Sequence, residues 1–249
     1  MNQTVETILN HRSIRKFTEQ SLSQKQISVL IQSAQAASTS SFVQAYSIIG
    51  VSNQNKKEKL AQLAGGQEYV EKNGHFFVFC ADLYRHQLMG EWEQKDITES
   101  LESAEKFMVA TIDAALAAQN MSIAAESLGL GICYIGGIRN NLKEVDKLLE
   151  IPDRVIPLFG LSVGYPAHQP NQKLRLTQTS IYHEDVYEKD KKVMKEQIEA
   201  YDKQISAYYE ERTRGERKDK WSEQMVAMFS FPKRLYLKQY LEGKGLNKK

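Results

Sequence analysis

Apolar and polar positions in this chain follow two rhythms, one helical and one extended. Ser23 followed by Gln26 makes a capping box, Leu22 and Ile27 flank it as a hydrophobic staple, and Ile27, Leu30, Ile31 and Ala34 fall on one helical face. The spacing predicts a helix that opens at Ser23 and ends in the hydroxyl-rich break Ala37-Ser38-Thr39-Ser40-Ser41. Tyr46 to Val51 reads as a strand, and Phe76 to Ala81 as a second, buried one. Between them, Gly65 and Gly66 allow either a close backbone approach or a plain turn.

From Leu101 to Leu128, Ala, Met and Leu occupy nearly every face, which predicts a long central helix buried on most sides. Gly129-Leu130-Gly131 stops it. Ile132 to Gly137 reads as a strand running into a glycine pair, Leu142 to Leu149 as a helix capped by Asn141, and Leu158 to Val163 as a strand entered through Pro152 and Pro157. Past Pro166 the pattern turns polar, with a charged helix from Lys191 to Tyr209, so residues 167–249 read as an extension of a core formed by residues 1–166. The expected fold class is α+β: a mixed, mainly antiparallel sheet surrounded by helices, with a long C-terminal helical extension.

Composition narrows the function. With 249 residues and 41% hydrophobic content the core is large enough to hold a buried cofactor, while a net charge of only +2 argues against a nucleic-acid partner. No apolar leader opens the chain, and Asp113 and Glu126 interrupt the one long apolar helix, so the expectation is a cytoplasmic protein with no membrane contact. Cys80 and Cys133, each in an apolar run, read as buried thiols. No dinucleotide fingerprint, P-loop, zincin motif or nucleophile elbow is present, and the five histidines lack metal spacing.

What remains is a scatter of anion and carbonyl ligands. His11-Arg12-Ser13-Ile14-Arg15 concentrates forked guanidinium groups and shorter donors suited to phosphate, and reads equally as a solvated basic loop. Further along come the hydroxyls of residues 38–41, Gln67 beside its glycines, Gly136-Gly137 at a strand end, and Lys173-x-Arg175. That inventory suits a phosphorylated, planar cofactor with polar edges.

His11 to Arg15, Ser38 to Gln44, Gly65-Gly66-Gln67, Ala124 to Gly131, Tyr134-Ile135-Gly136-Gly137 and Lys173-x-Arg175, in that order, resemble the FMN-dependent nitroreductase family. Over essentially its whole length the chain is similar to the NADPH-preferring branch of oxygen-insensitive nitroreductases and flavin reductases. The resemblance implies a homodimer with FMN at the interface. It places His11, Arg12, Ser13 and Arg175 by the phosphate, and Ser38, Thr39 and Ser40 in polar contact with the cofactor; Thr39 stands where relatives commonly have serine. Ile14 belongs to the same cofactor-binding run. Gln67 and Tyr69 are implied beside the ring or ribityl chain, the backbone of Tyr134, Ile135, Gly136 and Gly137 beside the N5 and O4 edge, and Arg15 and Lys173 beside N1 and O2.

With hydride chemistry supplied by FMN, the resemblance implies ping-pong transfer from NADPH to small-molecule acceptors such as free flavin, nitroaromatics or quinones. No catalytic side chain is implied. Arg212 and Arg217 are the implied ligands of the NADPH 2′-phosphate, although four acidic residues in the same segment also read as a balanced, solvated helix face. Phe42, Arg139 and Arg234 are candidates for the substrate entrance; the alternatives are a core aromatic and two surface salt bridges. Two other functions stay open at this point: a flavin-binding sensor or storage protein with little turnover, and a polyanion-binding module built on residues 212–220.

Overall fold

The computed structural model describes residues 1–249. In chain order its elements are α1 (Gln3–Leu9), α2 (Gln24–Gln35), β1 (Tyr46–Val51), α3 (Gln54–Leu63), α4 (Glu68–Glu71), β2 (His75–Asp82), α5 (Tyr84–Trp92), α6 (Thr98–Leu101), α7 (Ala104–Ser127), β3 (Gly131–Ile135), α8 (Leu142–Leu149), β4 (Val155–Gly164), α9 (Lys191–Arg212), α10 (Trp221–Phe229) and α11 (Leu237–Gly243). They form two compact units, one of residues 1–172 with 236–249 and one of residues 173–235.

The first unit is built on a four-stranded sheet in the order β1-β2-β4-β3, with every neighbouring pair antiparallel. The mixed sheet expected from sequence is therefore corrected. The one parallel pairing is an isolated bridge, Ser13 to Ile132, outside the named strands. Central β2 is buried along its whole length because both its faces are covered. Its side chains alternate between two clusters. Phe76, Val78 and Cys80 join residues of α3, α8 and α11, whereas Phe77 and Phe79 join residues of α2 and α7.

Local chemistry explains several boundaries. The Ser23 hydroxyl accepts from the Gln26 N–H at 3.2 Å and the Ser23 N–H donates to Gln26 Oε1 at 3.0 Å, the reciprocal box that opens α2. The Asn141 side chain caps α8 by accepting from the Glu144 N–H at 3.4 Å, without a return bond. Pro157 lies inside β4 instead of before it. Opposite it the register slips between Phe79 and Cys80, and such an irregularity is where a strand accommodates a residue with no N–H to give.

The α7 helix runs unbroken for 24 residues, the long central helix expected, but Asp113 and Glu126 do not make it too polar for a membrane span: by length and composition alone it is apolar enough to cross one. It is a core helix. Ala110, Ala114, Ala117, Ala118, Met121 and Ala125 are wholly buried, as is Asp113. One face stays open in the single chain: Met108, Ile112 and Leu116 are 57%, 46% and 44% exposed at helical spacing.

The second unit contains α9 and α10. Asp190 caps α9 by accepting from the N–H groups of Lys192 and Val193. Asp202 on α9 accepts from the Ser222 N–H at 2.9 Å, tying α10 to α9, and Tyr201 meets Trp221 edge to face.

Candidate functional site

The N-terminal pentapeptide runs along the outer edge of β3. The Ile14 N–H donates to the Ile132 carbonyl at 2.8 Å, and the Ile14 side chain, 3% exposed, packs over Gly131. A Cβ at Gly131 would lie 2.5 Å from Ile14 Cγ1, so the close approach requires glycine. Ile14 is thus the anchor of the segment. Ser13 is half-buried and Arg15 exposed, and neither side chain makes a hydrogen bond or ion pair within the protein. Burial pushes the Cys133 thiol up, and the Arg15 guanidinium nearby opposes that shift.

His11 and Arg12 face other partners. His11 Nδ1 lies 2.7 Å from Glu126 Oε1 on α7, an arrangement that fixes the ring and leaves Nε2 to a ligand. The Arg12 Nε donates to the Asn10 carbonyl at 3.1 Å, and Arg12 lines a cavity of about 370 Å³ together with Glu6, Glu126 and Gly129.

The two glycine turns pack against each other. After α3 the chain turns through Gly65 and Gly66 at φ 93° and 74°, and the N–H groups of Gly66 and Gln67 both donate to the Ala61 carbonyl. The turn that follows β3, residues 136–140, rests on this bend, where a Cβ at Gly137 would sit 2.3 Å from the Ala64 carbonyl oxygen. Gly65-Gly66-Gln67 and Tyr134 to Gly137 are therefore neighbours in space. The Gln67 side chain is half-buried with no hydrogen-bond partner.

Other candidates in this region have structural partners. The Tyr69 carbonyl accepts from Asn73 Nδ2 at 2.9 Å and from the Ser162 hydroxyl at 2.6 Å, while its ring packs on the core. The Tyr134 hydroxyl accepts from Ser122 at 2.9 Å, its ring meets Phe159 edge-on, and burial raises its pKa. Ile135 is buried. The Arg139 guanidinium donates to the Leu158 carbonyl, and the Arg139 carbonyl accepts from the Tyr236 hydroxyl at 2.7 Å.

The hydroxyl loop between α2 and β1 is held by a residue that the sequence pattern presented only as a break in an apolar run. Asp113 accepts from the Ser40 N–H at 2.9 Å and from the Ala45 N–H at 3.0 Å. Phe42, at the crest of that loop, is 81% exposed and is not a core aromatic of the single chain.

Within the second unit, Lys173 and Arg175 line a cavity of about 460 Å³ walled by Tyr201, Tyr208, Tyr209 and Trp221. The Arg175 guanidinium donates to the Lys173 carbonyl at 3.1 Å. Arg212 Nη1 donates to the Tyr208 hydroxyl at 2.9 Å. Arg217 lies 4.5 Å over the Tyr209 ring and pairs with Asp219 at 2.6 Å, and Lys218 pairs with Glu210 at 2.7 Å. Arg212 is thus the implied phosphate ligand without a carboxylate partner, whereas Arg217 already has one. Arg234 is half-buried, with left-handed backbone at φ 61°.

Comparison with known proteins identifies the family. Residues 8–165 match the model of the nitroreductase family and residues 173–249 that of the nitroreductase family C-terminal domain. The chain is 59% identical over 248 residues to the FMN reductase (NADPH) of Bacillus subtilis (strain 168), covering 100% of both sequences. It is 42% identical over 252 residues to an NADPH-dependent oxidoreductase of Staphylococcus saprophyticus, again covering 100% of both. The solved structure of an NfrA1 nitroreductase from B. subtilis superposes with a TM-score of 0.98 at 58% identity, covering 99% of this chain and 100% of that one. With both parts of the chain matched in order and the backbone superposing end to end, this protein belongs to the nitroreductase family.

Proposed function

We propose that this chain is an NADPH-dependent FMN reductase, an oxidoreductase that works through a bound FMN in a homodimer. The observation that carries the reading is its full-length, 59% identity to a protein named for that activity. The donors fit such a group: Ser13, Arg15, Gln67 and the hydroxyls of residues 38–41 have no partner within the protein. Along the β3 edge, Ser13 pairs at Ile132 and the glycine turn begins at Gly136, about 13 Å further on at the usual strand rise. That distance leaves room for a linear chain between a phosphate and a ring.

When bound, FMN supplies a ring that takes hydride from NADPH and passes two electrons to a second substrate. The chain's own work is binding and electrostatics. Arg12, Ser13 and the Nε2 of His11 hold the phosphate, with Glu126 orienting the imidazole. Ser38, Thr39 and Ser40 contact the cofactor's polar groups. Gly136 and Gly137 let backbone come close to the ring, and Gln67 and Tyr69 flank it. Arg15 and Lys173 favour the reduced flavin by their charge, Arg175 adds to the phosphate site, and Arg212 and Arg217 receive the 2′-phosphate. In this reading residues 167–249 complete the site begun by residues 1–166.

Homodimerisation is supported by the Met108, Ile112 and Leu116 stripe, an apolar face left open on an otherwise buried helix. Acceptors are planar electrophiles: free flavin, nitroaromatics or quinones. Steady-state kinetics with varied NADPH and FMN test the proposal. Parallel double-reciprocal lines and a yellow purified protein are expected. A colourless protein that neither takes up FMN nor oxidises NADPH would overturn it.

A further inference from the structure

The loop that carries Ser38 to Phe42 is fixed by two side chains from distant helices. Asp113 of α7 is wholly buried and has no ion-pair partner; its two oxygens accept from the N–H groups of Ser40 and Ala45. His86 of α5 places Nε2 2.9 Å from the Val43 carbonyl, so that nitrogen carries the proton and donates. Its Nδ1 is buried with no partner. Three main-chain groups within six residues are thereby taken up by two side chains that come from 43 and 68 to 73 positions along the chain.

The loop needs such restraint. Ser41, Phe42 and Gln44 all adopt left-handed backbone, at φ 46°, 61° and 54°, a region costly for residues with a Cβ and still more so for three in four positions. A buried carboxylate without a cation is also costly unless hydrogen bonds replace its water. Both costs fall on a segment whose four consecutive hydroxyls, Ser38 to Ser41, make no hydrogen bond within the protein and whose Phe42 ring stands out in solvent. Core packing does not require that arrangement. A rigid surface offering unused hydroxyls to a ligand does.

We propose that Asp113 and His86 are positioning residues that preorganise the Ser38–Phe42 loop for the bound flavin and its acceptor. The inference rests on the FMN reading given above. Neither residue touches the cofactor; they act through the loop backbone. Asp113→Asn keeps the volume but replaces one acceptor by an NH₂ that faces a backbone N–H, and His86→Phe removes the donor to Val43.

The test compares Asp113→Asn, His86→Phe and a control, Met121→Ala, which truncates a buried side chain of the same helix without touching the loop. FMN affinity is measured by fluorescence titration of the apoprotein, and backbone protection by hydrogen exchange. Expected for Asp113→Asn are at least tenfold weaker FMN binding and loss of protection confined to residues 40–45, with β2 still protected. His86→Phe shows a smaller effect of the same kind. Met121→Ala lowers Tm and leaves FMN affinity within twofold of the parent. Parent-like FMN affinity and loop protection in Asp113→Asn would overturn the proposal alone, as would an equal loss of affinity in Met121→Ala. Failure of the parent protein to take FMN would overturn the flavin reading as well.

Discussion

In residues 1–172 with 236–249, apolar side chains close on one another in two clusters either side of a four-stranded sheet. In residues 173–235 only Tyr201 and Ile205 are buried among the apolar residues, while Val186, Tyr187, Val226, Phe229, Phe231 and Leu235 are between 66% and 77% exposed. The first unit has a core of its own; the second is a pair of helices and extended chain with little to bury. These exposed apolar side chains are available to another chain or a ligand. The same contrast holds for the cations of the proposed site. Arg15 follows Ile14, a buried residue on a strand edge, whereas Arg212 and Arg217 rest on Tyr208 and Tyr209, two half-buried tyrosines of α9.

The largest effect that breaks this contrast is expected at the open stripe of α7. Ile112→Glu puts a charge into it, and sedimentation velocity is expected to give a monomer that has lost most of its flavin and activity. A dimer with full flavin content would remove the stripe from the interface.

The next effect concerns the core of the first unit. Burial, with Lys57 nearby, pulls the pKa of His75 from 6.5 down to about 4. The folded protein therefore binds the proton less readily than the unfolded chain. Stability is full above pH 6.5 and is lost as pH falls from there through 4, by about 3 kcal/mol from this residue. Denaturant titrations of the parent and of His75→Phe should diverge in their pH slope across that window, and equal slopes would show that His75 is not the titrating group.

Smaller effects sharpen the account of the second unit. Arg212→Ala is expected to raise KM for NADPH by tenfold to a hundredfold, the loss of one charge-assisted phosphate contact of about 1.5–3 kcal/mol, with KM for NADH nearly unchanged. Equal losses for both nicotinamides would take Arg212 out of the phosphate site. Lys173→Ala is expected to lower the midpoint potential of the bound flavin by about 30 mV, equivalent to about 1.4 kcal/mol for a two-electron couple. Redox titration with reference dyes reads it, and an unchanged potential would show that Lys173 does not sense the flavin's charge.

Much of the first unit was legible because its signals are local. The Ser23 box, the Asn141 cap and the apolar runs of the strands each lie within a few residues of what they specify. Where the local signal was weak the elements were not anticipated: α3 buries only Lys57, Leu60 and Ala61, and α5 only Gly90. Pro157 looked like a strand entrance because the slip that accommodates it, with Leu158 as the extra residue of β4, shows only in the pairing with β2, a distant segment. In the site, the candidate ligands were named from their chemistry, but the residues that hold them were not. Asp113 and Glu126 appeared as interruptions of an apolar helix and His86 as a lone histidine. Their partners lie 43 to 115 residues away, and no periodicity reports a contact at that range.

The central claim is that NADPH reduces a flavin held by this chain. Anaerobic stopped-flow mixing of the yellow holoprotein with NADPH and, separately, NADH tests it most directly. The account predicts rapid loss of the flavin absorbance with NADPH and much slower loss with NADH at equal concentration. A holoprotein whose flavin is bleached by neither nicotinamide would contradict it.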